Sequence, residues 1–250
     1  MDLESFNTSR ESLVPLLALN NKSNKNIIIF PTDKEAIEFS TDFSNFNKNI
    51  FHLPSWDTLS YDSFVPSFDI QGKRLEIAHL LLTNNNYNIA TSIKAISQRI
   101  YFEELEICKI ELNEEIDFDS LIENLIHLKY QRKDRVESKG SFAIRGGQLD
   151  VYPINYDLPL RVIFDGDLVN EIKTFDTISQ RSISEKKDIL IVPATELFQI
   201  KHSDILNLSS NKKENLDDYE LFQYSQNLDL EKCLLDLTSN VALHIVDKNI

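Results

Sequence analysis

Residues 140–153 read GSFAIRGGQLDVYP and hold three of the five glycines in a chain of 250 residues. Gly146 and Gly147 predict a tight two-residue turn, because a residue without a Cβ takes positive φ there at no steric cost. Phe142 and Ile144 before the turn, and Leu149 and Val151 after it, alternate at period two. The pattern predicts a hairpin with one apolar face and one solvated face presenting Arg145, Gln148 and Asp150, with Arg145 at the surface beside Asp150.

The charge around this hairpin runs against the rest of the chain. The whole carries 26 basic and 40 acidic residues, net −14, which disfavours a protein built to coat a phosphate backbone. Residues 127–145 invert that balance: Lys129, Arg132, Lys133, Arg135, Lys139 and Arg145 face only Asp134 and Glu137, +4 locally against −18 elsewhere. Such a spot reads either as a solvated strand face paired with neighbouring carboxylates or as a docking surface for an acidic patch on a partner.

Beyond the hairpin the chain alternates. Residues 9–19 read as a helix, 26–30 (NIIIF) as a buried strand, 34–46 as a helix and 49–53 as a strand. Then come a helix over 72–82, a strand over 87–91 and a helix over 92–99. Alternation of this kind predicts an α/β layer with right-handed crossovers over residues 1–112. Residues 113–187 read as an inserted α+β domain. Its helix is 119–128, its antiparallel strands are 131–137, 141–152, 160–164 and 168–175, and Asp165–Gly166 forms a second hairpin turn. At residue 188 DILIVP is again all apolar, which predicts a return to the first lobe over 188–250. There 201–231 is a polar run, 228–237 a helix and 241–246 a last buried strand.

Catalytic patterns are missing. No glycine precedes Gly72, so neither GxxxxGK[ST] nor GxGxxG can be written, and phosphate binding of that type needs glycines to let backbone N–H groups converge. The five histidines lie far apart, without metal-ligand spacing. Cys108 and Cys233 form no CxxC pair, which fits a reducing compartment. Trp56, Tyr61, Phe64 and Phe68 sit among acids that would repel phosphates, so these rings are expected to pack their loop onto the lobe. No signal peptide or membrane span is evident. The expectation is a cytoplasmic protein without catalytic residues, cofactor or metal.

Three long motifs carry a resemblance: PSWDTLSYDSFVPSFDIQGKRLE at 54–76, YQRKDRVESKGSFAIRGGQLDVYP at 130–153 and LRVIFDGDLVNEIKTFDTISQRS at 160–182. Together, and in this order, they resemble the N-terminal, UvrB-like module of bacterial transcription-repair coupling factors. DILIVPATE at 188–196 resembles the strand by which that module returns to its first lobe. The resemblance implies a degenerate P-loop NTPase-like lobe, with 7–19 in place of the phosphate loop, interrupted by a small domain that docks on UvrA. It also implies that Arg132, Arg145 and Arg161 lie on the UvrA-facing sheet; Lys133 and Arg135 share their basic segment. Ala143 and Ile163 depart from the pattern, standing where UvrB has an arginine and an acidic residue.

The function implied is non-catalytic recruitment in transcription-coupled nucleotide excision repair. RNA polymerase, DNA and the ATP-dependent translocase motor would be engaged by regions absent here, so the chain reads as a fragment of a longer protein. The competing reading is a DNA-binding segment of such a translocase, its basic strip tracking phosphates.

Overall fold

The structure, a computed structural model, describes residues 2–6, 24–46, 49–58, 64–98, 105–197 and 242–246. The helices expected at 9–19 and 228–237, and the polar run 201–231, lie outside these residues. Among those described, 67–75 and 105–197 form one compact unit and the remainder another.

The first part of the chain supplies strands β1 (Asp2–Phe6) and β2 (Lys25–Phe30), helix α1 (Asp33–Ser44), strand β3 (Ile50–Leu53), helix α2 (Phe68–Thr83), strand β4 (Tyr87–Ser92) and helix α3 (Ile93–Ser97). Next come strand β5 (Cys108–Glu111), helix α4 (Phe118–His127) and strands β6 (Gln131–Arg132), β7 (Ser141–Arg145) and β8 (Gln148–Tyr152). The last are β9 (Leu160–Asp165), β10 (Leu168–Phe175), β11 (Ser182–Glu185), β12 (Asp188–Ile191) and β13 (Ala242–Val246).

In the first unit five strands lie parallel in the order β1-β13-β2-β4-β3. The apolar run of β2 is buried because a parallel strand under crossover helices has no solvated face. Helix α1 begins where the Thr32 hydroxyl accepts from Glu35 N, with Asp33 and Glu35 favourably placed in its first turn. It buries Ala36, Phe39 and Phe43 against Ile28, Phe30, Ala90 and Val246, with Phe39 ring centroids 5.0 Å from Phe30 and 5.5 Å from Phe43. Ile37, next to Ala36 on the same helix, is 48% exposed.

Polar atoms cross the same sheet. Asn26 Nδ2 donates to Asn88 Oδ1 (3.0 Å), Asn88 Nδ2 to the Asn49 carbonyl (3.0 Å), and His244 Nε2 lies 3.2 Å from Asn26 Oδ1. In strands apolar on both faces a slipped register exchanges one apolar contact for another, so this buried ladder pins β13, β2 and β4. Strand β1 was not foreseen, since DLESF lacks an apolar run.

In the second unit a six-stranded sheet runs β11-β10-β9-β8-β7-β6, antiparallel except for the β6–β7 edge. The hairpin at 141–152 forms with Arg145 opposite Gln148. Gly146 alone takes positive φ (60°) in its turn, while Gly147 is needed because a Cβ would lie 2.9 Å from the Phe164 carbonyl. The second turn is Gly166–Asp167 rather than Asp165–Gly166, since Asp165 still pairs with Leu168. The strand expected over 131–137 stops at Arg132; Lys133 N gives one more bond to Phe142 O, and the chain then leaves the sheet.

Asp188–Ile191 departs most from expectation. β12 does not join the parallel sheet; it pairs antiparallel with β5 in a separate two-stranded sheet. Ile189 and Ile191 pack there with Cys108, Ile110 and the Leu121, Ile122 and Leu125 face of α4. An all-apolar run announces burial but not which sheet buries it. Tyr130 Oη donates to Val192 O (2.8 Å) and Ala194 N to Leu128 O (2.8 Å), tying the following residues to the end of α4. The start of α2 packs in this unit too. A Cβ at Gly72 would stand 2.4 Å from Ile154 O, and Arg74, fully buried, pairs with Glu196 at 2.9 Å.

Candidate partner-binding surface

One face of the six-stranded sheet is the core. Phe142, Leu149 and Val151 pack there with α4, as their period-two spacing predicted, with Ile144 partly buried against them and Leu160, Val162, Phe164 and Ile172 in the same core. The opposite face differs from the solvated one expected. Val136, on the segment after β6, closes over Ala143 and Phe175, with Tyr152 alongside. This explains the departure at Ala143, which is 2% exposed and sits beneath a neighbouring segment.

Asp150 lies opposite Ala143 and Arg161, not beside Arg145, and is buried. Arg161 grips it bidentately, Nε to Oδ1 at 2.7 Å and Nη2 to Oδ2 at 2.9 Å, while Gln148 Nε2 donates to both carboxylate oxygens. The Arg161 guanidinium also stacks 4.5 Å above the Phe175 ring and donates to Gln180 O at 3.2 Å. Its side chain is 14% exposed. The Asp150 hydrogen bond, the largest influence, holds this guanidinium above its ordinary pKa. Arg161, expected to face a partner, is thus neutralised within the unit: a β strand places its cation opposite a carboxylate two residues from the turn, and burial completes the pair.

The other four cations remain at the surface. Arg132 and Lys133 are exposed, and neither side chain has a hydrogen bond or ion pair among the described residues. Arg145 is exposed and donates to the Asp134 carbonyl at 3.2 Å. Arg135 is 42% exposed; its Nη2 donates to the carbonyls of Thr177 (2.7 Å) and Ile178 (3.1 Å). Lys139 bonds Asp69 Oδ1 (2.5 Å) and Ile154 O (3.1 Å), so it belongs to the unit's interior ties.

Arg135 and Arg161 therefore hold the same loop, 176–181, by different carbonyls. Within it Asp176 Oδ1 accepts from Ser179 N (2.7 Å), and Gln180 Nε2 donates to Thr177 O (2.8 Å). The bonds from Ser179, first its backbone N–H, hold Asp176 below the usual carboxylate range. Ile178, at the tip, is 86% exposed. Sequence reasoning missed it because one apolar residue between turn formers has no period to read.

Of the aromatics between 56 and 68, Trp56 is buried, as expected, whereas Phe64 and Phe68 are 60% and 44% exposed; Tyr61 lies outside the described residues. Among the described residues no three His, Cys, Asp or Glu side chains cluster as metal ligands, and no helix is long and apolar enough to cross a membrane.

Residues 108–197, which span β5 through β12, match the family model of the UvrB interaction domain. The resemblance to a UvrB-like module of a transcription-repair coupling factor holds. The chain is 29% identical to the transcription-repair-coupling factor of Escherichia coli over 174 residues, covering 68% of this chain and 15% of that protein. The factor of Bacillus subtilis is 26% identical over 271 residues, covering 92% of this chain and 23% of its own length. UvrABC system protein B of Thermosipho africanus is 23% identical over 215 residues, 79% of this chain and 32% of that protein. The chain thus spans a minor part of the length of each of these relatives.

Proposed function

We propose that this chain is a non-catalytic recruitment module of transcription-coupled nucleotide excision repair that binds UvrA through the exposed cations at the β6–β7 side of the six-stranded sheet. The observation that carries this reading is a coincidence of place. The residues matched as a UvrB interaction domain, 108–197, are those that display Arg132, Lys133, Arg135 and Arg145 on an otherwise acidic chain. Guanidinium groups suit bidentate capture of carboxylates, and a few desolvated ones dominate such contacts. Arg161 supports the surface from within as a positioning residue. In the longer relatives, RNA polymerase and DNA would be engaged by parts that this chain does not contain, and the lobe's first residues would stand in place of a phosphate loop.

The full chain is titrated with purified UvrA, alongside Arg132→Ala and Arg145→Ala. Each substitution should weaken binding by about tenfold or more, in keeping with the ~2 kcal/mol typical of a desolvated anchor. Unchanged affinity in both variants rejects the surface. Binding to duplex DNA without UvrA, falling steeply with salt, would instead assign the cations to phosphates.

A further inference from the structure

Ile178 is the most exposed large apolar side chain among the described residues, at 86%. A lone exposed isoleucine is ordinary; the setting of this one is not. Its loop is fixed by Asp176 accepting from Ser179 N, by Asp176 N bonding Arg181 O (3.0 Å) and by Gln180 N bonding Asp176 O (2.9 Å). Arg135 then clamps the carbonyls of Thr177 and Ile178, and Arg161 that of Gln180. The loop offers its side chain in one backbone conformation, so little conformational entropy remains to be lost on docking.

The surroundings state the chemistry of what it would meet. Arg135 touches Ile178 through the backbone, and Arg145 holds the carbonyl of Asp134, the residue before Arg135. Arg135 is thus the cation that borders this apolar point, while Arg132, Lys133 and Arg145 are exposed on β6, on the residue after it and on β7. An apolar point beside exposed cations suits a protein interface, in which binding energy concentrates in a few apolar and guanidinium anchors. A nucleic acid would use the cations and leave the β-branched side chain in water.

We infer that Ile178 is the apolar anchor of the partner surface, inserting into an apolar pocket with a carboxylate placed to meet Arg135 on the protein that the exposed cations bind. This rests on the UvrA-binding reading and adds to it a residue that determines specificity by shape rather than charge.

Full-length Ile178→Ser and Ile178→Leu chains are titrated with UvrA at low and at elevated salt, beside wild type and Arg145→Ala. Ile178→Ser should bind about tenfold more weakly, and by the same factor at both salt concentrations, because the loss is apolar. Ile178→Leu should stay within about twofold. The Arg145→Ala deficit should shrink as salt screens it. Thermal midpoints of the Ile178 variants should match wild type, since the side chain packs against little; a lowered midpoint contradicts the exposure and overturns the inference. Ile178→Ser binding like wild type while Arg145→Ala weakens overturns it and leaves the UvrA reading standing. Equal losses for Ser and Leu overturn it as well. No binding by wild type removes the reading and the inference together.

Discussion

The two larger sheets of the described residues both bury polar side chains, yet they bury different kinds for different ends. The parallel sheet uses two amides and an imidazole, Asn26, Asn88 and His244, linked strand to strand. The six-stranded sheet uses a charged pair, Asp150 with Arg161, roofed by Phe175 and the 176–181 loop. Neutral amides tell otherwise interchangeable apolar strands where to stop sliding. A carboxylate buried opposite an arginine does something else: it commits that arginine to the fold and so separates it from the arginines left exposed. Arg161 and Arg145 are both on this sheet, and their fates are decided by whether Asp150 is the residue across the ladder.

The largest effect expected within this comparison follows from breaking the charged pair. Asp150→Ala leaves the Arg161 guanidinium without its carboxylate at a site only 14% exposed, and should lower stability by about 2–3 kcal/mol in urea denaturation. Adding Arg161→Met should recover most of that loss, because no unpaired charge then remains buried. An Asp150→Ala cost below about 0.5 kcal/mol would place the pair among surface ion pairs and return Arg161 to the candidates for partner contact.

The sequence made these features legible to different degrees. The hairpin at 141–152, the strand over 168–175 and the parallel strands at 25–30 and 87–92 were readable because period two and continuous apolar runs report burial directly. The second face of the hairpin was not. Ala143 and Asp150 alternate with core residues as a solvated face does; Val136 returning over the sheet covers Ala143, and Arg161 and Gln148 close on Asp150. The same limit misplaced 188–191, whose apolar character is real but whose partner, Cys108–Glu111, lies some eighty residues earlier. At the surface, a basic segment announced itself by charge, whereas its sorting into structural and exposed cations depended on cross-strand register. Ile178 carried no signal, since a single position has no pattern.

The amide ladder should be the weaker of the two buried arrangements to break. Asn26→Ala removes the link between His244 and Asn88, leaving the Asn88 Oδ1 acceptor without that donor. A loss of about 1–2 kcal/mol is expected, with hydrogen exchange rising in β2 and β4 more than in the six-stranded sheet. Exchange rising equally in both sheets would mean that the ladder stabilises the chain globally rather than pinning one register.

A smaller effect, of opposite sign, sits at the end of α4. Lys129 has φ +70°; Lys129 N bonds Ile126 O (3.0 Å) and Tyr130 N bonds Leu125 O (2.9 Å), the paired bonds of a Schellman motif. That position favours glycine, because a Cβ in the left-handed region crowds the backbone. Lys129→Gly should therefore stabilise the chain by about 0.5–1 kcal/mol, read as a raised urea midpoint with an unchanged slope. A side chain is retained there against this conformational preference, on the segment that supplies the exposed cations. If the substitution stabilises as expected but also weakens UvrA binding, Lys129 belongs with the partner-facing charges, the counterpart of an Arg161 that belongs with the fold.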